Sequence, residues 1–189
     1  MKSRLLVLTI AMSCAFAGNV LALTKAEYGT QKDQIKAEYK ANRDKCGAMK
    51  ANAKDVCVAE AKGTEKIAKA ELESQYKPSA KNARDVAMAK ADSAYKVAKE
   101  KCDDLAGNAK DVCVKDAKAA HVKAKEDAKV AKVSMDSSAN KTEKVNDAKK
   151  EANAETREAN YKAAKERCDS LAGNAKDVCQ KDAKVKFGM

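Results

Sequence analysis

Apolar positions recur along the chain with the spacing of a coiled coil. In the clearest stretch, small or apolar side chains return at alternating steps of three and four residues: Met88, Ala91, Tyr95, Ala98, Cys102 and Leu105. The same frame recurs around Tyr39 and around Tyr161. This spacing gives each helix one apolar stripe, and it predicts that the repeated tyrosine is a packing residue rather than a binding residue.

A unit that contains this stripe occurs three times. Each copy has a tyrosine, a cysteine seven residues later and a second cysteine eleven residues after the first. Asn-Ala-Lys-Asp-Val lies between the cysteines, and an acid-Ala-Lys tail follows the second one. Three such copies indicate a repeat architecture. A fainter echo over residues 82–87 has alanine where the cysteine would be.

The middle of the unit predicts a helix–turn–helix hairpin. Gly107 and Gly173 precede the repeated asparagine, and glycine ends helices well because it adopts the left-handed conformation without steric cost. Ala51 takes this place in the first unit, so we expect a less sharp turn there. The asparagine is a favoured N-cap residue, and the aspartate three residues later suits a capping box and the helix dipole.

The two cysteines of a unit are placed symmetrically about this turn. Cys102 and Cys113 each lie about one and a half helical turns from the bend, so they can face each other in an antiparallel hairpin. A disulfide needs Cα atoms roughly 5.5 Å apart, and small alanine neighbours permit that approach. A loop of this length gains roughly 3 kcal/mol on the chain-entropy model. The predicted disulfides are Cys46–Cys57, Cys102–Cys113 and Cys168–Cys179.

These patterns predict an all-α protein of about six helices in three disulfide-stapled antiparallel hairpins, elongated and coiled-coil-like. Thr24 and Glu27 predict a capping box at the first helix, and Pro78 ends the first hairpin because helices stop before the residue preceding proline. The predicted segments are a signal peptide over 1–22, hairpin 1 over 23–77, hairpin 2 over 78–133, a polar linker over 134–141 and hairpin 3 over 142–189.

The first residues have the pattern of a secretory signal peptide. Lys2 and Arg4 precede an apolar run over residues 5–16, and small residues then favour cleavage after Ala22, with Ala17 as a second option. The run is shorter than the ~20 residues that span a bilayer, so we expect no transmembrane span in the mature chain. A retained anchor is the alternative. A lipoprotein acylated at Cys14 is another, but its motif lacks the branched apolar residue it needs.

The amino-acid composition bears on both the predicted fold and the predicted compartment. The chain has 39 basic and 28 acidic residues and a formal charge of +11, and loss of Lys2 and Arg4 leaves about +9. So little bulky apolar surface would usually indicate disorder, but Ala, Lys and Glu are strong helix formers. We therefore expect long helices with thin, alanine-rich contacts that need disulfides as staples. The even number of mature cysteines, six, indicates an oxidising compartment.

No catalytic residue, metal ligand or cofactor-binding residue is predicted. Zinc cysteines are usually two to four residues apart, whereas these pairs have ten intervening residues, and His121 stands alone as a solvated helix residue. Redox pairs are usually Cys-x-x-Cys, and the aspartate near each second cysteine opposes thiolate formation. The sequence contains neither a Gly-x-Ser-x-Gly nucleophile motif nor a glycine-rich phosphate loop.

The repeated Cys-x10-Cys unit with Gly-Asn-Ala-Lys-Asp-Val-Cys resembles that of small exported proteins of beta-proteobacteria, some of which carry names borrowed from the envelope protein TolA. The resemblance covers nearly the whole mature chain. It implies the periplasm of a Gram-negative bacterium, and it supplies no catalytic residues.

The excess of positive charge is the feature that points to a partner, because a thin cationic protein attracts anions at long range. We expect a non-enzymatic envelope structural or interaction protein whose partners are anionic envelope components, such as peptidoglycan or lipid headgroups, or envelope proteins. Export and the lack of basic–aromatic interleaving argue against nucleic acid. The alternative is a periplasmic helical chaperone or stress protein, and the remote alternative is a thiol redox or metal-handling protein. The charge could also serve solubility alone.

Overall fold

The computed structural model describes residues 23–189, and the predicted signal peptide over residues 1–22 lies outside the described residues. The helices are α1 Lys25–Lys45, α2 Ala51–Tyr76, α3 Ala80–Cys102, α4 Gly107–Ser134, α5 Lys141–Cys168 and α6 Gly173–Phe187. A 3₁₀ turn, Cys46–Ala48, follows α1. The described residues form no β-strand, which confirms the all-α prediction. None of the described helices is long and apolar enough to cross a membrane.

The six helices form one up-and-down layer. Each helix packs against the helix before it and the helix after it, and no other pair of described helices is in contact. The disulfide-linked hairpins are therefore joined into a continuous layer through α2 with α3 and α4 with α5. Because none of the described helices forms a second layer over these, the described part of the chain leaves both broad faces of the layer open.

The interior of the layer is made mostly of alanine and cystine. Leu72 is the only large aliphatic side chain that is buried among the described residues. The other buried apolar residues are Cys46, Ala61, Ala89, Ala91, Cys102, Ala119, Ala128, Ala152, Ala163, Cys168 and Ala183. The first cysteine of each unit is fully buried, so the disulfide sulfurs fill space where a larger core would place leucine or phenylalanine.

Helix ends follow local sequence at two sites. The predicted capping box at α1 is present, with the backbone N–H of Glu27 donating to the Thr24 hydroxyl and the Thr24 N–H donating to the Glu27 carboxylate. Pro78 lies in the break between α2 and α3, and Ser79 caps α3 by accepting from the N–H of Asn82.

The repeated asparagine is not an N-cap, which corrects the sequence prediction. The N-caps of α2, α4 and α6 are Lys50, Ala106 and Ala172, whose side chains make no capping hydrogen bond. The asparagine is the second residue of each helix, and the amides of Asn52 and Asn108 bond to the following unit instead. The residue before it opens the helix in a left-handed conformation instead of ending the previous one.

The turn of the first unit is as sharp as the others. Ala51 has φ +49°, close to the +55° of Gly107 and the +53° of Gly173. The expectation of a less sharp turn at Ala51 is therefore wrong. The alanine is held in a conformation that glycine adopts more cheaply, because its Cβ crowds the backbone there.

Candidate functional site

The three disulfides link the two helices of each unit. Cα–Cα distances are 5.6 Å for Cys46–Cys57, 5.6 Å for Cys102–Cys113 and 5.7 Å for Cys168–Cys179. The prediction of three disulfide-stapled hairpins is confirmed. All six cysteines of the described residues are paired, so none presents a free thiolate to a metal ion in this state. The described residues contain no cluster of three or more His, Cys, Asp or Glu side chains that could hold a metal.

The three stapled turns lie at the same edge of the layer, because successive helices alternate in direction. Each turn carries an apolar side chain three residues after the first cysteine: Met49, Leu105 and Leu171, which are 44%, 45% and 42% exposed. Leu105 belongs to the predicted apolar stripe, but it and its equivalents are partly exposed, because the first α-helix of each unit ends just before or at its cysteine and these residues lie in the turn. We call these three side chains the apolar tips.

The repeated asparagine joins one unit to the next. The side-chain amide of Asn52 donates to the backbone carbonyl of Glu100 at 2.7 Å, and Asn108 donates to the carbonyl of Glu166 at 3.1 Å. Glu100 and Glu166 each lie two residues before the first cysteine of the following unit. Each of these carbonyls also accepts a backbone N–H from the turn that follows, from Asp103 at 3.0 Å and from Asp169 at 3.1 Å, so the asparagine supplies a second hydrogen bond near the C-terminal ends of α3 and α5.

An ion pair recurs at the same two places. Lys101 pairs with Glu60 at 3.3 Å, and Arg167 pairs with Asp116. In each case the basic residue precedes the first cysteine of one unit, and the acid is three residues after the second cysteine of the unit before it. We call α2 with α3 and α4 with α5 the unit junctions. Sequence reasoning missed them, although the recurrence of both partners in every unit was a signal.

A polar cluster ties α2, α3 and α4 together. Asp92 accepts hydrogen bonds from Lys66 at 2.6 Å and from Nε2 of His121 at 2.7 Å. The His121 ring stacks on Tyr95, with ring centroids 4.7 Å apart and planes 6° apart. The His121 side chain is only 15% exposed, so the prediction that it is a solvated helix residue is wrong.

The contacts of this cluster favour the ionised form of the Asp92 carboxyl. Burial raises the pKa of the Asp92 carboxyl. The hydrogen bonds from Lys66 and His121 together lower it by a larger amount, so the pKa lies below its usual value. An ionised carboxylate only accepts, so Nε2 of His121 carries the proton in this bond. The cluster cross-links three helices and has no nucleophilic hydroxyl or thiol among the residues that bond to Asp92.

Two surface grooves flank the cluster. One, of about 640 Å³, lies across α3, α4 and α5 and is lined by Tyr95, Val114, Val122 and Ala159, with the charged residues Lys115, Lys118, Lys162, Glu155 and Glu158. The other, of about 470 Å³, lies between α2 and α3 and is lined by the apolar residues Ile67 and Val97 and by Lys90 and Lys101, among others. Each combines an apolar strip with lysine ammonium groups, most of which pair with glutamates.

The positive charge of the layer exceeds what its acids can neutralise. Residues 23–189 contain all 28 acidic residues and all but two of the 39 basic ones, Lys2 and Arg4 being the exceptions. Some of these charges pair along one helix, as Glu65 does with Lys69 and Glu158 with Lys162. About nine positive charges nevertheless have no acidic counterpart, and the open faces of a single layer display them to solvent.

No protein-family model matches this chain, and no curated protein or solved structure shows significant similarity to it.

Proposed function

We propose that the protein is a non-enzymatic periplasmic protein of the Gram-negative envelope that binds anionic envelope components. The observation that carries this proposal is the single helix layer, whose two open faces display a net charge of about +9. Carboxylates of peptidoglycan and phosphates of lipid headgroups are the anions that such a surface meets in that compartment.

Geometry makes the layer suited to this role. An array of lysines on an open layer can touch many anions of an extended surface at once, so weak individual contacts add to useful avidity. The groove across α3, α4 and α5 adds an apolar strip beside Lys115, Lys118 and Lys162. Lysine stems also cover apolar surface while their charged ends reach outward.

The compartment is supported by the covalent structure. Three disulfides fit an oxidising extracytoplasmic compartment, because cytosolic thiols are kept reduced. The periplasm itself is our proposal, and it rests on the signal-peptide pattern over residues 1–22.

Co-sedimentation tests this function. Oxidised mature protein is mixed with purified peptidoglycan, with phosphatidylglycerol vesicles and with phosphatidylcholine vesicles, at low and high salt. We expect pelleting with the anionic surfaces at low salt and release at high salt, because the Debye length shortens from about 30 Å to about 3 Å between 0.01 M and 1 M salt. Pelleting with none of the anionic surfaces at low salt would contradict the proposal.

A matched pair of variants locates the binding face. Lys115→Gln, Lys118→Gln and Lys162→Gln together remove three positive charges beside the groove across α3, α4 and α5, two of which pair with Glu166 and Glu158. Lys141→Gln, Lys149→Gln and Lys150→Gln remove three exposed charges elsewhere on α5. We expect the groove variant to bind more weakly than its control. Equal losses would show that the anion meets the whole layer instead of this groove.

A second candidate function rests on the apolar tips. Met49, Leu105 and Leu171 are large apolar side chains held at one edge, where they could contact unfolded clients of a periplasmic helical chaperone. Aggregation of a reduced client protein is followed with wild type and with a variant in which all three tips are changed to serine. Suppression that is lost in the tip variant would favour this candidate, whereas no suppression by wild type would exclude it.

A further inference from the structure

The two unit junctions are copies of each other. At both, an asparagine amide of one unit donates to the carbonyl two residues before the first cysteine of the next unit. At both, the basic residue just before that cysteine pairs with the acid three residues after the second cysteine of the unit before it. The repeat therefore encodes a rule for adding one unit to another.

At the two ends of the layer, the residues equivalent to the junction residues have no partner helix among the described helices. On α6, Asn174 and Asp182 occupy the positions of Asn52 and Glu60, and both are exposed. On α1, Asp44 and Lys45 occupy the positions of Glu100 and Lys101, and both are exposed. α6 packs only against α5 and α1 only against α2 among the described helices, so each end has one free flank.

Another ion pair of the second unit junction has an equivalent pair of opposite charges at the two ends of the layer. Lys115 pairs with Glu166 across the second junction at 3.6 Å, and the equivalent residues at the ends, Lys181 and Asp44, have the same opposite charges. Val185 of α6 is 76% exposed, although the equivalent residues Gly63 and Ala119 are buried. A second helix on this flank would cover that valine, and the two helices would lie farther apart there than at Gly63, because valine is larger than glycine.

We infer that α6 of one molecule docks against α1 of a second copy, in the arrangement of the unit junctions, so that the protein associates head to tail. Asn174 then donates to the carbonyl of Asp44, and Lys45 pairs with Asp182. The interface is heterologous, so each added molecule presents the same two free ends, and association continues beyond a dimer unless a ring closes. This inference is independent of the proposed anion binding.

Association through one helix pair with exposed ion pairs is weak and depends on concentration. Sedimentation velocity of the oxidised mature chain is expected to show a mass that rises with concentration and passes that of a dimer. A mass that stays monomeric at every concentration would overturn the inference. So would a mass that stops at the dimer, which points to a symmetric interface.

Charge reversal tests the register directly. Lys45→Asp places two aspartates at the interface and Asp182→Lys places two lysines there, so each variant alone is expected to associate about tenfold more weakly. Mixing the two variants restores opposite charges at every contact, and the mixture is expected to associate like wild type. Lys141→Asp, an exposed change of equal charge on α5, is the control and should leave association unchanged.

Each outcome of the mixing experiment decides the matter. Recovery only in the mixture supports the register of Lys45 with Asp182. A mixture that stays as dissociated as either variant, or a control that loses association equally, overturns it. Circular dichroism and a free-thiol titration confirm that every variant keeps its helices and its three disulfides.

Discussion

Ala51 holds a backbone conformation that glycine holds in the other two units. Its φ of +49° is the only positive value at a non-glycine residue in the described part of the chain. An L-residue in this region costs roughly 1–2 kcal/mol, because Cβ crowds the following carbonyl oxygen. The strain is tolerated because the Cys46–Cys57 disulfide and the Asn52 contact to α3 fix the turn from both sides.

We predict that Ala51→Gly stabilises the protein by about 1 kcal/mol, because it relieves this strain at a modest cost in chain entropy. Urea unfolding, monitored by circular dichroism, gives the change. Gly107→Ala is the reverse experiment and should destabilise by a similar amount. No atom lies within 4 Å of a Cβ built on Gly107, so only the backbone angle is tested. A destabilised Ala51→Gly variant would contradict the prediction.

The negative charge of Asp92 on α3 stabilises the contacts of this helix with both of its neighbours. Its carboxylate accepts from Lys66 of α2 and His121 of α4, and its pKa is lowered in the folded state. A carboxyl whose folded pKa lies below its unfolded value near 3.8 contributes stability above that value. The contribution is lost as the pH falls through the lower, folded-state pKa.

We predict that Asp92→Asn lowers the free energy of unfolding by about 1 kcal/mol at pH 7, because the ionised hydrogen bonds are lost. The gap between wild type and variant should be constant at neutral pH and should close below pH 3.8. Thermal unfolding over a pH series measures it. Asp104→Asn, in the exposed turn after α3, is the control and should show a smaller gap. A gap that persists in acid would contradict this assignment.

At the scale of elements, small residues determine how closely the helices pack. A Cβ added to Gly63 of α2 would lie 3.0 Å from Cβ of Ser93 on α3, and the Ser93 hydroxyl donates to the Gly63 carbonyl at 3.4 Å. Both residues are buried. Gly63 weakens α2 as an isolated helix but lets α2 and α3 approach each other.

We predict opposite effects for the same substitution at two helical glycines. Gly29→Ala in α1 should stabilise by about 0.5–1 kcal/mol, because alanine is the better helix former and nothing lies within 4 Å of the new methyl group. Gly63→Ala should destabilise by about 1–3 kcal/mol, because the methyl overpacks the junction with Ser93. Urea unfolding of both variants measures the two changes in the free energy of unfolding. Stabilisation by Gly63→Ala would show that α2 and α3 can separate at little cost.

At the scale of the whole molecule, the layer has no common core. Within residues 23–189, each helix contacts only its neighbours in sequence, so the stability of any unit depends on its own disulfide and on adjacent units. The ends differ from the middle. α6 has 15 residues and packs on α5 alone, whereas α3 and α4 each have a neighbour outside their own hairpin.

We predict that removing equivalent disulfides has different effects. Cys168→Ala with Cys179→Ala should unfold α6 by itself, because an isolated helix of ~12–15 residues is marginal in water. Hydrogen exchange should show lost protection over Gly173–Phe187 and retained protection in the other helices. Cys102→Ala with Cys113→Ala should keep full helix content and lose about 3 kcal/mol of global stability. Protected amides in α6 of the first variant would contradict the nearest-neighbour description.

The sequence by itself determined the helices, the hairpins and the pairing of the cysteines. These features depend on local chemistry: the helix propensity of Ala, Lys and Glu, the turn between the cysteines and their equal distance from it. The Thr24–Glu27 capping box was predictable for the same reason, since all its atoms lie within one helical turn.

Only the tertiary structure decided how the hairpins join, and with it the roles of Asn52, His121 and Leu105. Asn52 reaches a carbonyl of a helix 48 residues away, and His121 reaches Asp92 29 residues away. The tendency of a residue to cap a helix or to be exposed depends on its neighbours in sequence. The partners of Asn52 and His121 depend instead on which flank of each helix the next helix covers. That choice is made when alanine-lined helices dock, and among the described helices it leaves one flank of α1 and one of α6 uncovered.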